Sequence, residues 1–369
     1  MSEQLERFRS AIANRYTLGR ELGVGGTATV FVANDERYHR AVAIKVFRPE
    51  IAVSLGHDRF VREIALAATL NHPHILPLLD SGEEEGLMYY VMPVVEGESL
   101  RERLLRERQL QIDEMMQIAR DVAVALDYAH ARGVVHRDIK PENILLTRGT
   151  AVVADFGIAK MLDGGGGETS VTRIGIAVGT ALYMSPEQAS ASVVDGRADI
   201  YSLGCVVFEM LAGVTPYAGK SPMTIIAKHF TEPIPSVLPL RPGMAPLMDV
   251  VIMRALAKAP ADRFATAVDF VDALAAARRA ASHERVRMSM SDLLLAQAHV
   301  PIAGGAAVGG PRNSTLDQAA TLRATGTATT GTPSPPARAP TPRLWLWIVG
   351  AMLVLAVLAG VWRFTRGAA

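Results

Sequence analysis

Cysteine is nearly absent from this sequence of 369 residues, in which Cys205 is the single thiol. A disulfide within the chain is therefore excluded. The run "YSLGCVVFEML" around Cys205 is apolar, which predicts a buried structural thiol in a reducing compartment. The nine histidines form no zinc-spaced cluster with that cysteine, and "NHPHI" is better explained as a turn.

Neither sign of charge dominates. Lysine and arginine total 38 against 37 aspartates and glutamates, so the formal net charge is +1. This balance offers no electrostatic attraction for nucleic acid, and no nucleic-acid partner is expected. The first residues are charged and do not resemble a signal peptide. Leu5, Phe8 and Ile12 recur at helical spacing, which predicts an amphipathic helix over residues 1–15.

Regular hydrophobic periodicity disappears after about Ala281. The stretch "GTATTGTPSPPARAPTP" is typical of disorder, and residues 281–343 are expected to form a mostly disordered juxtamembrane linker. Residues 344–362, "LWLWIVGAMLVLAVLAGVW", are 19 uncharged residues with tryptophans near both ends. That run predicts a transmembrane helix, followed by a short extracytoplasmic tail at 363–369. A buried core helix is the alternative, but nothing nearby would cover it.

A glycine-rich stretch, "LGVGGTATVFVA", stands at residues 22–33. Gly23 and Gly25 match the first two glycines of a G-x-G-x-x-G pattern, and Ala28 holds the third position. The strand-like "TVFVAND", the turn "ERYHR" and the strand-like "AVAIKVFR" follow, so the glycines lie at a hairpin. A dinucleotide-binding fold would need a helix there, and a Walker loop would need G-K-[ST]. An ordinary turn is one explanation, and a hairpin folded over a nucleotide with Lys45 beneath it is the other.

Two further segments suit a nucleotide site. "HDRFVREIALAATLNHPHI" has helical periodicity and carries Glu63, whose carboxylate would hold the Lys45 ammonium toward phosphates. A solvent-exposed glutamate is the alternative. "LMYYVMPVVEGESL" predicts a buried strand that ends in an extended connector at residues 93–97. Pro93 keeps its carbonyl and Val95 offers both backbone groups, which could serve an adenine ring.

The stretch "VVHRDIKPENILL" places Asp138, Lys140 and Asn143 on one short loop after a helix. Asp138 suits the base that orients an acceptor hydroxyl and takes its proton, and the amide oxygen of Asn143 suits a magnesium ligand. Twelve residues beyond Asn143, "VVADFGIAK" supplies the Asp155 carboxylate for a cation bridging two phosphates. Gly157 permits a sharp turn there. These motifs, in this order and with these gaps, make coincidence negligible.

The ordered set G-x-G, V-A-I-K, H-R-D-x-x-x-x-N and D-F-G resembles that of protein kinases, and specifically the eukaryotic-like serine/threonine kinases of bacteria. The likeness covers residues 16 to about 278. It extends to "GTALYMSPEQ", where S-P-E replaces the usual A-P-E, and to "DGRADIYSLGCVVFEML" and "ADRFATA". The resemblance implies an α+β, bilobal fold over residues 16–280. Its β-rich N-lobe would cover about 16–95, and its larger helical C-lobe about 96–280.

The resemblance also implies the reaction, which is transfer of the γ-phosphate of ATP to serine or threonine hydroxyls of protein substrates. Mg²⁺ is the expected cation, with Mn²⁺ as an alternative. Lys140 resembles the serine/threonine class, and Thr180 would lie near Asp138 at the acceptor site. The residues expected around ATP are Leu22, Gly23, Val24, Gly25, Gly26, Thr27, Ala28, Thr29, Val30, Ala43, Lys45, Met92, Pro93, Val95 and Leu145.

Two structural roles follow from the same resemblance. Glu187 would pair with Arg263 to brace the C-lobe, and Asp199 would hold the catalytic loop from a buried helix.

Two other classes of function remain as alternatives. A pseudokinase scaffold would have lost the lysine, the catalytic aspartate or the metal aspartate, and all three are present. A kinase-fold phosphotransferase for small molecules typically lacks the arginine of H-R-D and the S-P-E segment, and both are present.

The segment "GGGGETSVTRIGIAVGT" is rich in hydroxyl groups, and Arg137 beside the catalytic aspartate is a cation that a phosphorylated segment could satisfy. We therefore expect autophosphorylation at Thr172, with Thr169 and Ser170 as alternatives. Ile174 stands where relatives often carry a second threonine. A mobile loop with incidental threonines is the other explanation.

The catalytic domain is expected in the cytoplasm because ATP is there, which makes the chain a single-pass protein of the cell membrane with the lipid bilayer as a partner. Ala356 and Gly360 form a small-xxx-small pair that would support a transient homodimer.

Overall fold

A computed structural model describes residues 2–51, 56–156, 178–190 and 192–281. Its first part is a five-stranded antiparallel sheet with the strand order β1-β2-β3-β5-β4. The strands are β1 (Tyr16–Val24), β2 (Ala28–Asp35), β3 (Arg40–Phe47), β4 (Asp80–Glu84) and β5 (Leu87–Pro93). Valine, isoleucine and aromatic residues are frequent in β2, β3 and β5, which suits strands with a neighbour on each side.

Helix α1 (Ser2–Ile12) covers the outer face of this sheet. Its residues Phe8 and Ile12 are buried, and the Phe8 ring lies edge-on to Tyr89 of β5 with centroids 5.3 Å apart. The helical spacing of the apolar residues therefore reflects packing against the sheet. The helix is shorter than the expected 1–15 because Tyr16 already begins β1.

Helix α2 (His57–Ala68) packs against the inner face. Phe60 and Ile64 of α2 form a buried cluster with Phe47 of β3 and Tyr90 of β5. Phe47 and Phe60 meet edge-on with their centroids 6.0 Å apart. Since alternate residues of a strand face opposite sides, Tyr89 belongs to the outer cluster and Tyr90 to the inner one.

The second part of the molecule is mostly helical. Its helices are α3 (Leu100–Glu107), α4 (Ile112–His130), α5 (Val178–Ala181), α6 (Pro186–Ala189), α7 (Arg197–Ala212), α8 (Pro222–Thr231), α9 (Pro246–Ala255) and α10 (residues 267–281). Helix α7 is buried from Ala198 to Ala212, as its apolar sequence on every side requires. Cys205 lies within it, so the expectation of a buried structural thiol is confirmed, and burial raises the pKa of this thiol.

A small sheet stands between the connector and the catalytic loop. It consists of β6 (Glu98–Ser99), β7 (Ile144–Thr147) and β8 (Thr150–Val153). Gly97 has a φ of 154°, and a Cβ there would lie 2.0 Å from the carbonyl oxygen of Leu146. Only glycine permits this close approach of the two chain segments. Ser99 then caps α3 by accepting from the Glu102 N–H, while the Glu102 carboxylate bonds back to the Ser99 N–H at 2.7 Å.

The expectations for the C-terminal part concern residues that the structure does not describe. Within the described ranges, none of the helices has the length and apolar character that crossing a bilayer requires. The transmembrane run at 344–362, its tail at 363–369 and the linker from residue 282 onward are outside those ranges.

Candidate active site

The glycine-rich stretch forms the hairpin between β1 and β2. Gly23 pairs with Val30 and Val24 with Thr29, and the Gly25 N–H donates to the carbonyl of Ala28 at 2.8 Å. The tip is therefore the short segment 25–27. Ala28 is 2% exposed and packs in the inner cluster with Phe47 and Phe60, so its side chain belongs to the core of the lobe.

Three side chains meet beneath the hairpin. Lys45 on β3 and Asp155 after β8 form an ion pair in which Nζ lies 2.6 Å from Oδ2. The hydroxyl of Tyr90 on β5 donates to Asp155 Oδ1. Burial raises the pKa of the Asp155 carboxyl, but the charge of Lys45 and the hydrogen bonds from Lys45 and Tyr90 outweigh it and hold that pKa below its ordinary value.

Glu63 lies on α2 and is 6% exposed, so the alternative of a solvent-exposed glutamate is wrong. It was expected to hold Lys45. The Lys45 ammonium forms an ion pair with the carboxylate of Asp155. That Glu63 holds Lys45 stays a prediction.

The catalytic loop brings Asp138, Lys140 and Asn143 into one hydrogen-bonded group. Lys140 Nζ lies 2.7 Å from Asp138 Oδ2 and donates to Thr180 Oγ1 at 3.1 Å. Asn143 Nδ2 donates to the main-chain oxygen of Asp138 at 2.8 Å and to its Oδ2 at 3.1 Å. One oxygen of the Asp138 carboxylate thus has two donors, and Thr180 is tied to the loop through Lys140.

Asp199 supports this loop from α7. Its carboxylate accepts from the backbone N–H of His136 at 2.8 Å and from that of Arg137 at 2.7 Å. His130 Nε2 lies 2.7 Å from the same carboxylate. Burial would lower the pKa of His130, but the hydrogen bond and charge of Asp199 prevail and raise it. Arg137 adopts a φ of 66°, a strained conformation for a non-glycine residue, and these bonds hold it there.

Glu187 and Arg263 form the expected pair in the C-lobe. The guanidinium lies 2.6 and 2.8 Å from the two carboxylate oxygens. Arg263 also donates to the carbonyls of Ala257, Arg197 and Lys258 at 2.8 to 3.1 Å. Every arm of the guanidinium is therefore bound, which is what a buried charge requires.

The residues expected around adenine come from both sheets and from the connector. Ala43 of β3 pairs with Met92 of β5, and Pro93 ends that strand. Leu145 lies on β7, opposite Ser99. Val95 follows within the connector itself. A flat heterocycle with polar edges requires apolar side chains and backbone hydrogen-bonding groups, and these residues are of both types.

The oxygen donors suit a hard divalent cation. Asn143 uses Nδ2 for its bonds to Asp138, which leaves Oδ1 as its accepting atom. Asp155 supplies an ionised carboxylate. Mg²⁺ prefers such oxygen ligands and completes its shell with phosphate oxygens and water. The residues present therefore fit the expected cation.

Sequence reasoning missed two polar contributors. Tyr90 sits in an aromatic strand that predicts core packing, yet its hydroxyl bonds to Asp155. Arg101 of α3 donates to Glu209 and Glu142 at 2.8 and 2.9 Å and also to the Tyr183 hydroxyl. No motif marks either residue. Gly157 and the phosphorylation candidates Thr169, Ser170 and Thr172 lie outside the described residues.

Comparison with known proteins agrees with this geometry. Residues 16–275 match the protein kinase domain family, and the chain therefore belongs to that family. The expectation of a bilobal α+β kinase fold, with a β-rich N-lobe and a helical C-lobe, is confirmed.

Three similar proteins come from mycobacteria. Serine/threonine-protein kinase PknB of Mycobacterium tuberculosis is 42% identical over 267 residues, which are 70% of this chain and 42% of that protein. PknB of Mycobacterium leprae is 42% identical over 265 residues, again 70% of this chain and 42% of that protein. PknD of Mycobacterium tuberculosis is 43% identical over 257 residues, which are 69% of this chain and 38% of that protein. The chain thus spans about two fifths of the length of these relatives.

Proposed function

We propose that this chain is an ATP-dependent serine/threonine protein kinase. The observation that carries the proposal is the group around Asp138. Its carboxylate is held by Lys140 and Asn143, and Lys140 in turn donates to Thr180. This arrangement presents a carboxylate of fixed orientation beside a lysine, on a loop that directly precedes the candidate cation ligands.

Each residue has a role that its geometry suits. The acceptor hydroxyl donates its proton to Asp138 while its oxygen bonds to the γ-phosphorus, and the bond from phosphorus to the leaving ADP oxygen breaks. Lys140 places positive charge beside the transferring group, and Lys45 does so from the opposite side. A bound Mg²⁺ would neutralise charge on the phosphates, held by Asn143 and Asp155.

The two alternative functions make different predictions at this site. In a scaffold the chain would bind nucleotide without transfer. In a small-molecule phosphotransferase the acceptor would be a free compound, and the S-P-E segment would not be needed. Here that segment carries Glu187, and Gln188 beside it donates to the main-chain oxygen of Arg137 at 2.7 Å. The segment is therefore linked to the catalytic loop, which favours a protein acceptor.

The experiment is incorporation of γ-labelled phosphate by the purified chain, followed by phosphoamino-acid analysis. Phosphoserine and phosphothreonine in the chain itself or in an added protein are the expected products. Nucleotide binding without any transfer would favour the scaffold. Transfer to small molecules without transfer to protein would favour the other alternative.

Regulation by autophosphorylation is part of this proposal. The donor would be ATP bound in the chain's own active site. The acceptor would be Thr172, with Thr169 and Ser170 as alternatives. The cationic Arg137 beside Asp138 would stabilise the phosphate added there. Mass spectrometry of active protein should find phosphate between residues 164 and 180. An unmodified segment in active protein would contradict this part of the proposal.

We place the catalytic domain at the cytoplasmic face of the cell membrane, anchored by residues 344–362. Support comes from the length and apolar character of that run and from the need of the domain for cytosolic ATP. The linker would let two copies meet as a transient homodimer. Truncation after Pro342 should release a soluble kinase. Retention of the truncated protein in the membrane fraction after a salt wash would exclude this anchor.

A further inference from the structure

The carboxylate of Asp155 is held by two side chains of the N-lobe sheet. Lys45 Nζ lies 2.6 Å from Oδ2, and the Tyr90 hydroxyl donates to Oδ1. Lys45 and Tyr90 face each other across β3 and β5, so both side chains leave the same face of the sheet. The cross-strand pair therefore binds both oxygens of Asp155, with Lys45 at Oδ2 and Tyr90 at Oδ1.

Tyr90 is the donor in its bond to Asp155. Its ring is buried among Phe47, Phe60 and Ile64. A phenol keeps its proton at neutral pH, so the Tyr90 hydroxyl can donate. An ionised carboxylate only accepts hydrogen bonds. The hydroxyl proton therefore points at Oδ1.

A cation that approaches Asp155 meets two unequal oxygens. Oδ2 carries the ammonium of Lys45, which repels a second positive charge. Oδ1 carries a neutral donor and is electrostatically the better ligand, but one of its two lone pairs already accepts the Tyr90 proton. Mg²⁺ requires short bonds in near-ideal octahedral geometry, so a donor held on the same oxygen restricts the directions from which the cation can bind.

On the basis of the proposed kinase function, we propose that Tyr90 is a positioning residue that holds Oδ1 of Asp155 against the N-lobe and thereby sets the Mg²⁺ concentration the enzyme needs. Binding of the cation replaces the Tyr90–Asp155 hydrogen bond. Removal of the hydroxyl should therefore lower the half-saturating Mg²⁺ concentration. The expected shift is roughly tenfold, the effect of one hydrogen bond to a charged group.

The same strand offers a matched control. Tyr89 neighbours Tyr90 in sequence but faces the outer cluster, where its ring packs against Phe8. Tyr89→Phe and Tyr90→Phe each delete one hydroxyl from β5, and only the second deletes a bond to Asp155. A general loss of sheet stability would affect both variants, whereas a change in Mg²⁺ requirement should appear in Tyr90→Phe alone.

The experiment uses the full chain and two readouts. The first is thermal unfolding with a fixed concentration of a non-hydrolysable ATP analogue across a Mg²⁺ titration, which reports binding without catalysis. The second is the rate of labelled phosphate transfer across the same titration. Tyr90→Phe should shift both midpoints to lower Mg²⁺, and Tyr89→Phe should match the unaltered chain.

Unchanged or higher midpoints in Tyr90→Phe would overturn the role of Tyr90. Tyr90→Met fills similar space without a hydroxyl and must show the same shift, so it decides the question if Tyr90→Phe does not fold. Failure of the unaltered chain to transfer phosphate is a separate result, because it would contradict the proposed function. The thermal readout still tests Tyr90 in that case.

Discussion

Two conspicuous ion pairs, one within the C-lobe and one in the catalytic cleft between the lobes, differ in how completely they are satisfied. In the C-lobe, the side chains of Arg263 and Glu187 are 0% and 6% exposed, and the guanidinium binds both carboxylate oxygens and three carbonyls. In the catalytic cleft, the side chains of Lys45 and Asp155 are 16% and 17% exposed, and they meet through one nitrogen and one oxygen.

This difference separates a fixed brace from an exchangeable contact. Arginine has a planar fork that matches a carboxylate, so the Arg263–Glu187 pair has a single well-defined geometry. Lysine presents a point charge on a flexible stem and can turn from a carboxylate to a phosphate. Asp155 also adopts a φ of 66°, in a region that non-glycine residues rarely occupy and that is frequent at functional sites. The cleft pair is therefore suited to changing partners.

The largest expected effect comes from breaking the exchangeable pair. Lys45→Ala and Asp155→Ala should each lower phosphate transfer by about a thousandfold. The first change removes the positive charge proposed to bind the phosphates, and the second removes a proposed ligand of the cation. Lys45→Ala should change thermal unfolding less than Arg263→Ala does, since the cleft pair is partly solvated. Unfolding of both variants at ordinary temperature would mean that the cleft pair is structural as well.

Breaking the fixed brace should destabilise the fold. Arg263→Ala leaves the Glu187 carboxylate buried without its partner, which should lower the free energy of unfolding by about 3–5 kcal/mol. Urea unfolding of the chain with and without the change measures it. Arg263→Lys serves as the comparison, because it keeps the charge and loses the fork. A loss below about 1 kcal/mol in Arg263→Ala would contradict the role of a brace.

A smaller effect is expected from His229, which contacts the surroundings of that brace. His229 Nδ1 lies 2.7 Å from the Tyr201 hydroxyl, and the Tyr201 ring lies below Arg263. Burial, and then the charge of Lys258, lower the pKa of His229 from 6.5 to about 4. The His229 imidazole thus binds a proton near pH 6.5 in the unfolded chain, but only near pH 4 in the folded chain.

Stability from this group is therefore present above pH 6.5 and is lost as the pH falls toward 4. The loss should amount to about 1–3 kcal/mol. His229→Gln, which cannot titrate, should lose less stability than the unaltered chain between pH 7 and pH 5. Urea unfolding at both pH values measures the loss. If the unaltered chain and His229→Gln lose the same stability between pH 7 and pH 5, His229 does not titrate in this way.

The smallest effect should come from a surface pair. Arg120 and Asp272 bridge α4 and α10, and their side chains are 44% and 61% exposed. Solvent and salt screen such a pair, so Arg120→Gln should change the free energy of unfolding by less than about 0.5 kcal/mol. The same urea experiment provides the measurement. A loss as large as that of Arg263→Ala would remove the distinction between a buried brace and an exposed contact.

Motif order was sufficient to predict the fold. A single fold satisfies the order in which the glycine hairpin, Lys45, the loop with Asp138 and Asn143, and Asp155 follow one another along the chain. Local rules also anticipated α1, whose apolar residues follow a helical period, and the buried α7, whose sequence is apolar on every side. These features depend on neighbours in sequence, and sequence therefore reports them well.

Contacts between distant segments were less accessible. The run "LMYYVMP" is aromatic and apolar throughout, so its pattern does not reveal that the hydroxyl of Tyr90, and not that of Tyr89, reaches Asp155. The choice of Lys45 for Asp155 also depends on how the two lobes meet. Lys45 and Asp155 are 110 positions apart in the sequence, and a residue pattern does not report the distance in space between such segments.

The central claim is that Asp138 serves as the base for transfer to a protein hydroxyl, and its most direct test is single-turnover phosphate transfer by Asp138→Asn. Asparagine keeps the size of the side chain and a hydrogen-bonding oxygen toward Lys140, so the loop should stay folded and nucleotide should still bind. Because the amide cannot accept the proton, transfer should fall by at least about a hundredfold. Transfer at the rate of the unaltered chain would contradict the account.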